Sequence, residues 1–449
     1  MIVSVNPATG AELARFTPLT GDEVESAVDA AVSAQRQWRK RPLAERAAML
    51  RDLAAVLRDR KDRYARLIVG EMGKPLVEAE AEIEKCAVTC EHYARHAAGY
   101  LADRSVTAGA SVGYDPLGVV LAVMPWNYPF WQFFRFAAPA FAAGNGALLK
   151  HANNVPQCAL AVEEVVRDAG FPANLFRTLL VGVEQIAPLI ADDRIAAVTL
   201  TGSTEVGAIV AAQAGAALKK QVLELGGSDP FLVLADADVE AAARAAVPAR
   251  FLNGGQSCVN AKRFIVEDAV ADEFVAAFLR HTAELKVGDP ADPATAIGPM
   301  ARANLRDTLH DQVRRSVAAG AEVLLGGEPV DGPGFFYPPT ILDHVRPGMA
   351  AFDEETFGPL AAITRVPGTA TAVDLANRTD FGLGASVWTS DVDLAREIEA
   401  GAVFVNAVVA SDPRLPFGGI KKSGYGRELG AEGIREFCNT KTLWIGARP

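Results

Sequence analysis

The sequence predicts an α/β protein with two doubly wound parallel sheets. Apolar runs of strand length alternate with helical runs twice along the chain, first over residues 119–225 and again after Glu224. Each run ends in a tight turn before the next helix, an order typical of right-handed βαβ crossovers. A chain of 449 residues with 50% hydrophobic residues is long enough for two or three such cores. Ligands of such sheets bind at the carboxyl ends of the strands.

Helices are predicted for the first part of the chain, residues 22–100. Val24, Val28 and Val32 recur at helix spacing, and residues 42–67 are rich in Ala, Leu and Arg. These patterns indicate amphipathic helices.

Strands are predicted from short apolar runs. Residues 105–120 predict an extended hairpin that leads into a buried strand, because short β-type runs there are broken by Gly and Pro. The first sheet is predicted from GVVLAVM, GALLKHA and AAVTLTGS, and the second from FLVLADA, RFIVEDA, AEVLLGG, FFYPPTIL, LAAITRV, GASVWT and AVFVNA. The final run TKTLWIG has no strand nearby to pair with, so we expect subunit pairing to cover its edge.

Charge and hydropathy exclude several classes of partner. The net charge of −11 and pI near 5.2 give no basic face for nucleic acid or anionic lipid. The amino terminus carries no basic run with an apolar core of signal-peptide length, and no apolar stretch reaches the roughly 20 residues of a membrane span. We therefore expect a cytoplasmic protein that binds neither nucleic acid nor membrane.

The five cysteines are predicted to be reduced thiols. An odd number spread over a long chain does not form a disulfide framework. Cys86 and Cys90 share a helix face near His92 and His96, but no further pair completes a zinc set. No metal site is expected.

Cys258 is the candidate nucleophile, in FLNGGQSCVNAKRF just before a predicted strand. The preceding glycines leave space for a ligand beside the backbone, and the amides flanking Cys258 can face a developing oxyanion. The pKa of a free thiol is about 8.5, so a nucleophilic thiol needs a base or a positive environment at neutral pH. An inert core cysteine is the alternative.

Glu224 and Asn127 are candidate partners of this thiol. Glu224 ends an apolar strand in VLELGGSDP, where a carboxylate exposed at the strand end can take a proton from a thiol or from water. Asn127 follows another strand in AVMPWN, and its amide can stabilise an oxyanion by about 2.7–4 kcal/mol. A capping or salt-bridged glutamate and a turn asparagine are the alternatives.

These segments together resemble the aldehyde dehydrogenase superfamily. Its signatures appear as ELGG at 224–227, GQSC at 255–258, PWN at 125–127 and EETFGP at 354–359. The resemblance extends from NPATG to PFGGIKKSGYGRE, which is essentially the whole chain. It implies the aldehyde dehydrogenase-like fold, with two doubly wound α/β domains and a small β oligomerisation arm.

The resemblance also implies a domain organisation. We expect a dinucleotide-binding domain at 1–100 and 119–225, a catalytic domain at 226–427 and an oligomerisation arm at 101–118 and 428–449. The arm implies a homodimer or a homotetramer.

The predicted cofactor site begins at LTGSTEVG, which ends a strand and opens a helix whose free amides favour a phosphate. It is neither a Walker A loop nor a G-x-G-x-x-G fingerprint. The resemblance implies a variant dinucleotide turn from Gly202 to Gly207, with Ser203 near the pyrophosphate, and implies that Lys150 binds the adenine ribose. Asn153 stands where many NAD-preferring members carry a glutamate, so NADP, or both dinucleotides, is favoured over NAD alone.

Further cofactor contacts follow from the resemblance. It implies that Glu355 holds the nicotinamide ribose and that Phe357 packs against the nicotinamide ring, with Trp126 and Leu225 also in the site. Simple core packing is the alternative for Phe357.

The predicted substrate site contains one cation in an apolar helix. Arg135 lies four residues after Trp131 and hence on the same face. Because burying an unpaired guanidinium is costly, Arg135 needs either a protein carboxylate or an anionic substrate. The pattern looks most like the bacterial succinate-semialdehyde dehydrogenases. That resemblance implies that Trp131, Arg135, Ser257 and Ser411 line the pocket and that Arg135 and the hydroxyls bind the remote carboxylate of succinate semialdehyde.

The resulting hypothesis is NAD(P)+-dependent oxidation of an aldehyde. Cys258 adds to the aldehyde to form a thiohemiacetal, the dinucleotide accepts the hydride, and Glu224 activates the water that hydrolyses the thioester. An uncharged aldehyde, or an acyl-coenzyme A product, is the main alternative. A binding protein without turnover and a cofactor-free cysteine hydrolase are the others, and the combined motifs favour neither.

Overall fold

Helices and strands alternate along residues 1–446, the part of the chain that the computed structural model describes. The helices are α1 (Gly21–Trp38), α2 (Leu43–Asp59), α3 (Lys61–Met72), α4 (Leu76–Tyr100), α5 (Trp131–Ala143), α6 (Pro156–Asp168), α7 (Ile186–Ala191), α8 (Thr204–Ala216), α9 (Val239–Phe251), α10 (Asp268–Thr282), α11 (Ala303–Ala318), α12 (Ala350–Asp353), α13 (Thr369–Asn377) and α14 (Gly430–Glu436). The strands are β1 (Ile2–Val5), β2 (Glu12–Phe16), β3 (Arg104–Thr107), β4 (Ala110–Pro116), β5 (Val119–Met124), β6 (Gly146–His151), β7 (Phe176–Thr178), β8 (Ile195–Thr201), β9 (Lys220–Glu224), β10 (Asp229–Val233), β11 (Ala261–Glu267), β12 (Glu322–Leu325), β13 (Thr340–Asp343), β14 (Leu360–Val366), β15 (Gly384–Trp388), β16 (Ala402–Val405), β17 (Gly424–Tyr425) and β18 (Cys438–Trp444). Within residues 1–446, no helix is both long and apolar enough to cross a membrane.

The first large sheet has the order β17-β9-β8-β5-β6-β7. Its strands run parallel except β17, which pairs antiparallel with β9. β5 and β8 are almost entirely buried, as expected of parallel strands covered by helices on both faces. The strand order reverses between β5 and β8, which opens a crevice at their carboxyl ends. Asn127 and Gly202 follow these two strands and therefore lie at that crevice.

The second large sheet has the order β12-β13-β14-β11-β10-β15-β16. Only β12 pairs antiparallel with its neighbour, so the predicted pair of doubly wound parallel sheets is confirmed. One strand prediction was too long: within FFYPPTIL, only the last three residues, 340–342, lie in β13, because the strand begins after Pro338 and Pro339. Proline lacks the N–H that a central strand must donate.

A third sheet has the order β18-β4-β3. In it, the carboxyl-terminal strand β18 pairs with the hairpin formed by β3 and β4. β18 pairs with β4 from Cys438 opposite Pro116 to Trp444 opposite Ala110, so its partner lies more than 300 residues earlier in the chain. The other edge of β18 has no strand beside it among residues 1–446. The domain boundaries stay a prediction, and residues 447–449 of the predicted arm lie outside the described residues.

Helix α5 carries the predicted substrate residues and is held by a buried carboxylate of α4. Every residue of α5 is buried. Glu82 Oε1 accepts hydrogen bonds from the backbone N–H groups of Phe130 (2.8 Å) and Trp131 (3.0 Å), which satisfies amides that a helix start leaves free. The other oxygen of Glu82 pairs with the buried Lys74. Glu82 therefore fixes the start of α5 against α4.

Replacing Glu82 by Ala is expected to destabilise the protein by about 3–5 kcal/mol, because Lys74 is left buried without its counter-charge. Glu84→Ala is the matched control on the same helix, since it removes only a partly exposed ion pair with Arg58 and should cost about 1 kcal/mol or less. Thermal and denaturant unfolding of both variants checks this. Equal losses of stability would contradict the role given to Glu82.

Candidate active site

The loop that carries Cys258 is a tight turn joined to the end of β5. Asn253, Gly254 and Gly255 have φ of 58°, 59° and 71°, a region that favours glycine or asparagine. A Cβ on Gly255 would lie 2.3 Å from the carbonyl oxygen of Gly358, so the EETFGP segment packs directly on this turn. The two glycines before the thiol thus have a structural requirement.

Asn127 is fixed to this turn by two hydrogen bonds. Its Nδ2 donates to the carbonyl oxygen of Gln256 (3.0 Å), and its own carbonyl oxygen accepts from Asn253 Nδ2 (2.9 Å). An amide nitrogen has two donors, so one N–H of Asn127 is free of this contact. The structure therefore brings Asn127 and the Cys258 loop together, although the two residues are far apart in sequence.

Cys258 lies where two cavities meet. It lines a first cavity of about 210 Å³ and a second of about 230 Å³, and Gln132 is the other residue that lines both. Burial raises the pKa of the thiol to about 11, while the positive charges of Arg135 and Lys262 oppose that shift. Lys262 Nζ donates to the carbonyl oxygen of Cys258 at 2.8 Å. The protein alone keeps the thiol protonated at neutral pH, although two cations favour its thiolate.

Glu224 lies deeper than expected. The expectation of a carboxylate exposed at the strand end is wrong: Glu224 is 2% exposed, because β17 pairs with β9 and places Gly424 opposite it. A Cβ on Gly418 would lie 2.8 Å from Glu224 Oε1, so the carboxylate points into this covering segment. Glu224 does not line either cavity.

Burial raises the pKa of Glu224 well above its usual range. Arg135 and Arg427 oppose the shift, and the nearby carboxylate of Glu428 adds to it. Neither oxygen of Glu224 has a hydrogen-bond partner among residues 1–446. A carboxyl group that is buried without partners is a candidate proton acceptor rather than a structural ion.

The first cavity contains the predicted substrate residues. Trp131, Arg135, Ser257 and Ser411 all line it together with Cys258. Lys85 of α4 lines it as well, and the sequence did not predict this residue. In the sequence Lys85 follows Glu82 and Glu84 in a helix rich in glutamate, a pattern typical of an ordinary helix-surface lysine.

Arg135 is neutralised by a protein carboxylate. It forms an ion pair with Glu428, both side chains being 2% exposed, and its Nη2 donates to Thr201 Oγ1 at 3.3 Å. The guanidinium also lies 4.7 Å from the centre of the Phe417 ring. The sequence left two possible partners for Arg135, a protein carboxylate and an anionic substrate. The structure contains the protein carboxylate. The need for a partner was predictable, but Glu428, nearly 300 residues away, was not.

The second cavity contains most of the predicted cofactor residues. It is lined by Trp126, Gly202, Ser203, Leu225, Glu355 and Phe357, among others. Glu355 Oε1 accepts from the backbone N–H of Gly227 at 2.9 Å, and the rings of Trp126 and Phe357 meet edge to face at 5.7 Å. A carboxylate and a pair of aromatic rings therefore line one cavity.

Helix α8 packs closely against Leu225, a wall residue of the second cavity, because it carries a glycine at the contact. Ser203 caps α8 by accepting from the backbone N–H of Val206 at 3.3 Å. On the next turn, a Cβ on Gly207 would lie 2.4 Å from Leu225 Cδ2. Three predicted cofactor residues do not line this cavity: Gly207, Lys150 and Asn153. The last two lie at the end of β6, where Lys150 Nζ donates to Asn153 Oδ1 at 3.0 Å. A helix start edged by Gly, Ser and an apolar wall fits a dinucleotide phosphate.

Groups of three or more His, Cys, Asp or Glu side chains placed to hold a metal ion do not occur among residues 1–446. Cys86 and Cys90 are buried in α4, and burial raises the pKa of both thiols. The rings of His92 and His96 pack on each other, with centres 4.6 Å apart.

A cysteine thiol between a substrate-sized cavity and a dinucleotide-type crevice is the arrangement of a cysteine-dependent oxidoreductase. The chain belongs to the aldehyde dehydrogenase family, which it matches over residues 1–443. The predicted family and fold class are thereby confirmed.

Relatives named as succinate-semialdehyde dehydrogenases cover the chain almost completely. The succinate semialdehyde dehydrogenase (NAD(P)+) of Escherichia coli is 49% identical over 449 residues, covering 98% of this chain and 97% of its own. The succinate-semialdehyde dehydrogenase (NADP+) of Mycobacterium avium is 48% identical over 457 residues, covering 99% and 97%. The crystal structure of succinic semialdehyde dehydrogenase from Streptococcus pyogenes in complex with NADP+ superposes with a TM-score of 0.97 at 37% identity, covering 100% of both chains.

Gly207→Ala is expected to weaken dinucleotide binding by roughly tenfold or more, because the new methyl group displaces Leu225 from the wall of the second cavity. Gly215→Ala is the matched control, since it lies in the same helix and a Cβ there meets no atom within 4 Å. Fluorescence titration of both variants with NADP+ measures the difference. Unchanged affinity in Gly207→Ala would place the dinucleotide elsewhere.

Proposed function

We propose that this protein oxidises succinate semialdehyde to succinate with NADP+ as the preferred oxidant. The observation that carries the proposal is the position of Cys258 at the junction of a cation-lined cavity and a glycine-edged crevice. The named activities of the relatives from Escherichia coli and Mycobacterium avium support the same substrate.

The second cavity holds the dinucleotide in this proposal. Ser203 and the first backbone amides of α8 bind the phosphates. Glu355 binds the nicotinamide ribose, and Phe357 packs against the nicotinamide ring. Lys150 and Asn153 meet the adenosine end, where a lysine without an acidic neighbour at position 153 favours a 2′-phosphate. When bound, the dinucleotide supplies the hydride acceptor that makes the reaction an oxidation.

The chemistry at the protein's own residues has two stages. The Cys258 thiolate adds to the aldehyde carbon, and the carbonyl oxygen becomes an oxyanion that accepts hydrogen bonds from Asn127 Nδ2 and from the backbone amide of Cys258. After oxidation has left a thioester on Cys258, Glu224 takes a proton from the attacking water. The carbon–sulfur bond then breaks, which releases the acid and the thiol.

Assembly into a homodimer or homotetramer belongs to the same proposal. β18 leaves one edge without a strand among the described residues, and Leu443 and Trp444 on it are exposed by 48% and 69%. An open strand edge with exposed apolar side chains favours pairing with a second copy.

The direct test compares succinate semialdehyde, acetaldehyde and butanal, each with NADP+ and NAD+. We expect the highest kcat/KM with succinate semialdehyde and NADP+, and a fall of at least about 1,000-fold in Cys258→Ala because the nucleophile is lost. Cys90→Ala, a buried thiol outside both cavities, is the control and should retain activity.

Three results of that test would contradict the proposal. Preference for uncharged aldehydes would exclude the acidic substrate. Formation of an acyl-coenzyme A when coenzyme A is added would show that a thiol, not water, resolves the thioester. Failure to reduce either dinucleotide would exclude the dehydrogenase activity altogether.

The pH dependence of alkylation checks the state of the thiol without turnover. Because the pKa of Cys258 is raised to about 11 and only the thiolate reacts, iodoacetamide should modify the protein about tenfold faster per pH unit from about pH 6 to about pH 9, without a plateau. The rapid phase should be absent in Cys258→Ala, since Cys86, Cys90, Cys158 and Cys438 are buried. A plateau below about pH 8.5, the titration point of a free thiol, would mean that the cations overcome burial.

A further inference from the structure

Lys85 places an ammonium group in the wall of the first cavity. Its Nζ donates to Ser411 Oγ at 2.7 Å and lies 4.4 Å from the centre of the Trp131 ring. These contacts join α4, α5 and the loop after β16 around one charge. Both a hydroxyl and an aromatic face stabilise a cation, but neither neutralises it.

The other cations near this cavity are paired with carboxylates. Arg135 pairs with Glu428, and Lys74 pairs with Glu82, which also accepts two backbone hydrogen bonds of α5. No Asp or Glu oxygen of residues 1–446 lies within 4.0 Å of Lys85 Nζ. Lys85 is therefore the cation of the cavity wall that has no carboxylate partner in the described part of the chain.

The surroundings of Lys85 agree with an unneutralised charge. Burial and the positive charge of Arg135 together lower the pKa of its ammonium to about 8, although Cys86 and Glu82 oppose the shift. Glu78, another carboxyl group in the wall, is engaged by the backbone N–H of Asn253 at 2.7 Å. An anion that enters the cavity would give Lys85 the counter-charge that the protein does not provide.

We infer that Lys85, held by Ser411, binds the remote carboxylate of the aldehyde substrate and selects acidic aldehydes over uncharged ones. The inference rests on the proposed function and names the residue behind its specificity. An anion at Arg135 meets a guanidinium already neutralised by Glu428, whereas an anion at Lys85 meets a free charge. Because Ser411 accepts from Lys85, its own O–H remains able to donate to the same carboxylate.

The experiment compares kcat/KM for succinate semialdehyde with kcat/KM for butanal, which lacks the carboxylate. In Lys85→Met, which keeps the length of the side chain but not its charge, the ratio should fall by about 10- to 100-fold, mainly through KM for the acidic aldehyde. Lys85→Arg should restore most of the ratio. Lys286→Met, which removes an exposed ion pair with Asp292, is the control and should leave the ratio unchanged.

Binding of the product gives a second readout that does not depend on turnover. The inhibition constant of succinate against the aldehyde should rise by a similar factor in Lys85→Met, and circular dichroism with thermal unfolding establishes that the variant is folded. If Lys85→Met does not fold, the neutral Lys85→Gln is compared with Lys85→Arg by both measurements.

The outcomes separate the two proposals. If the unmodified protein prefers butanal to succinate semialdehyde, the proposed function fails. If it prefers succinate semialdehyde and Lys85→Met keeps both the ratio and the succinate inhibition constant, the proposed function stands and the role of Lys85 is overturned. A lower kcat/KM ratio together with weaker inhibition by succinate in Lys85→Met supports the role of Lys85 in binding the carboxylate.

Discussion

The free-energy cost of burying charged side chains determines how α4 packs against α5, and the rest of the site depends on this packing. Glu82 offsets that cost twice, since it neutralises Lys74 and accepts the first amide hydrogens of α5. Arg135 is buried four residues later and is neutralised by Glu428. A helix of almost wholly apolar composition can thus carry one cation next to the nucleophile without leaving it unpaired.

The two large sheets are joined near the thiol by hydrogen bonds from side-chain amides to backbone carbonyls. Asn253 and Asn127 tie the Cys258 turn to the end of β5, and Gly255 admits the carbonyl oxygen of Gly358. The residues required at this junction are small or carry an amide, because larger side chains would separate the strand ends. The spacing of the motifs therefore records a steric requirement as well as a chemical one.

How far the sequence predicts the molecule depends on whether a feature is local. Alternating strands and helices, the glycine turn before Cys258 and the helix start at Ser203 follow from neighbouring residues. Pairing across hundreds of residues does not, which is why the covering of Glu224 by β17 and the partner of Arg135 were not foreseen. Only the family resemblance grouped residues 428–449, which contain β18, with the hairpin at 101–118. The cost of burying a guanidinium predicts that Arg135 has a counter-ion. It does not predict which carboxylate lies beside Arg135 in the folded chain.

Arg135 then has an electrostatic role that its ion pair does not abolish. Its positive charge favours the ionised forms of Cys258, Glu224 and Glu428, and it disfavours the ammonium of Lys85. A single buried guanidinium thus acts on two groups in the wall of the first cavity: it promotes the thiolate of Cys258 and leaves the ammonium of Lys85 in need of a negative charge. These two groups suit a substrate with an electrophilic carbon at one end and a carboxylate at the other. The thiolate adds to the carbon, and the carboxylate provides the negative charge that Lys85 lacks.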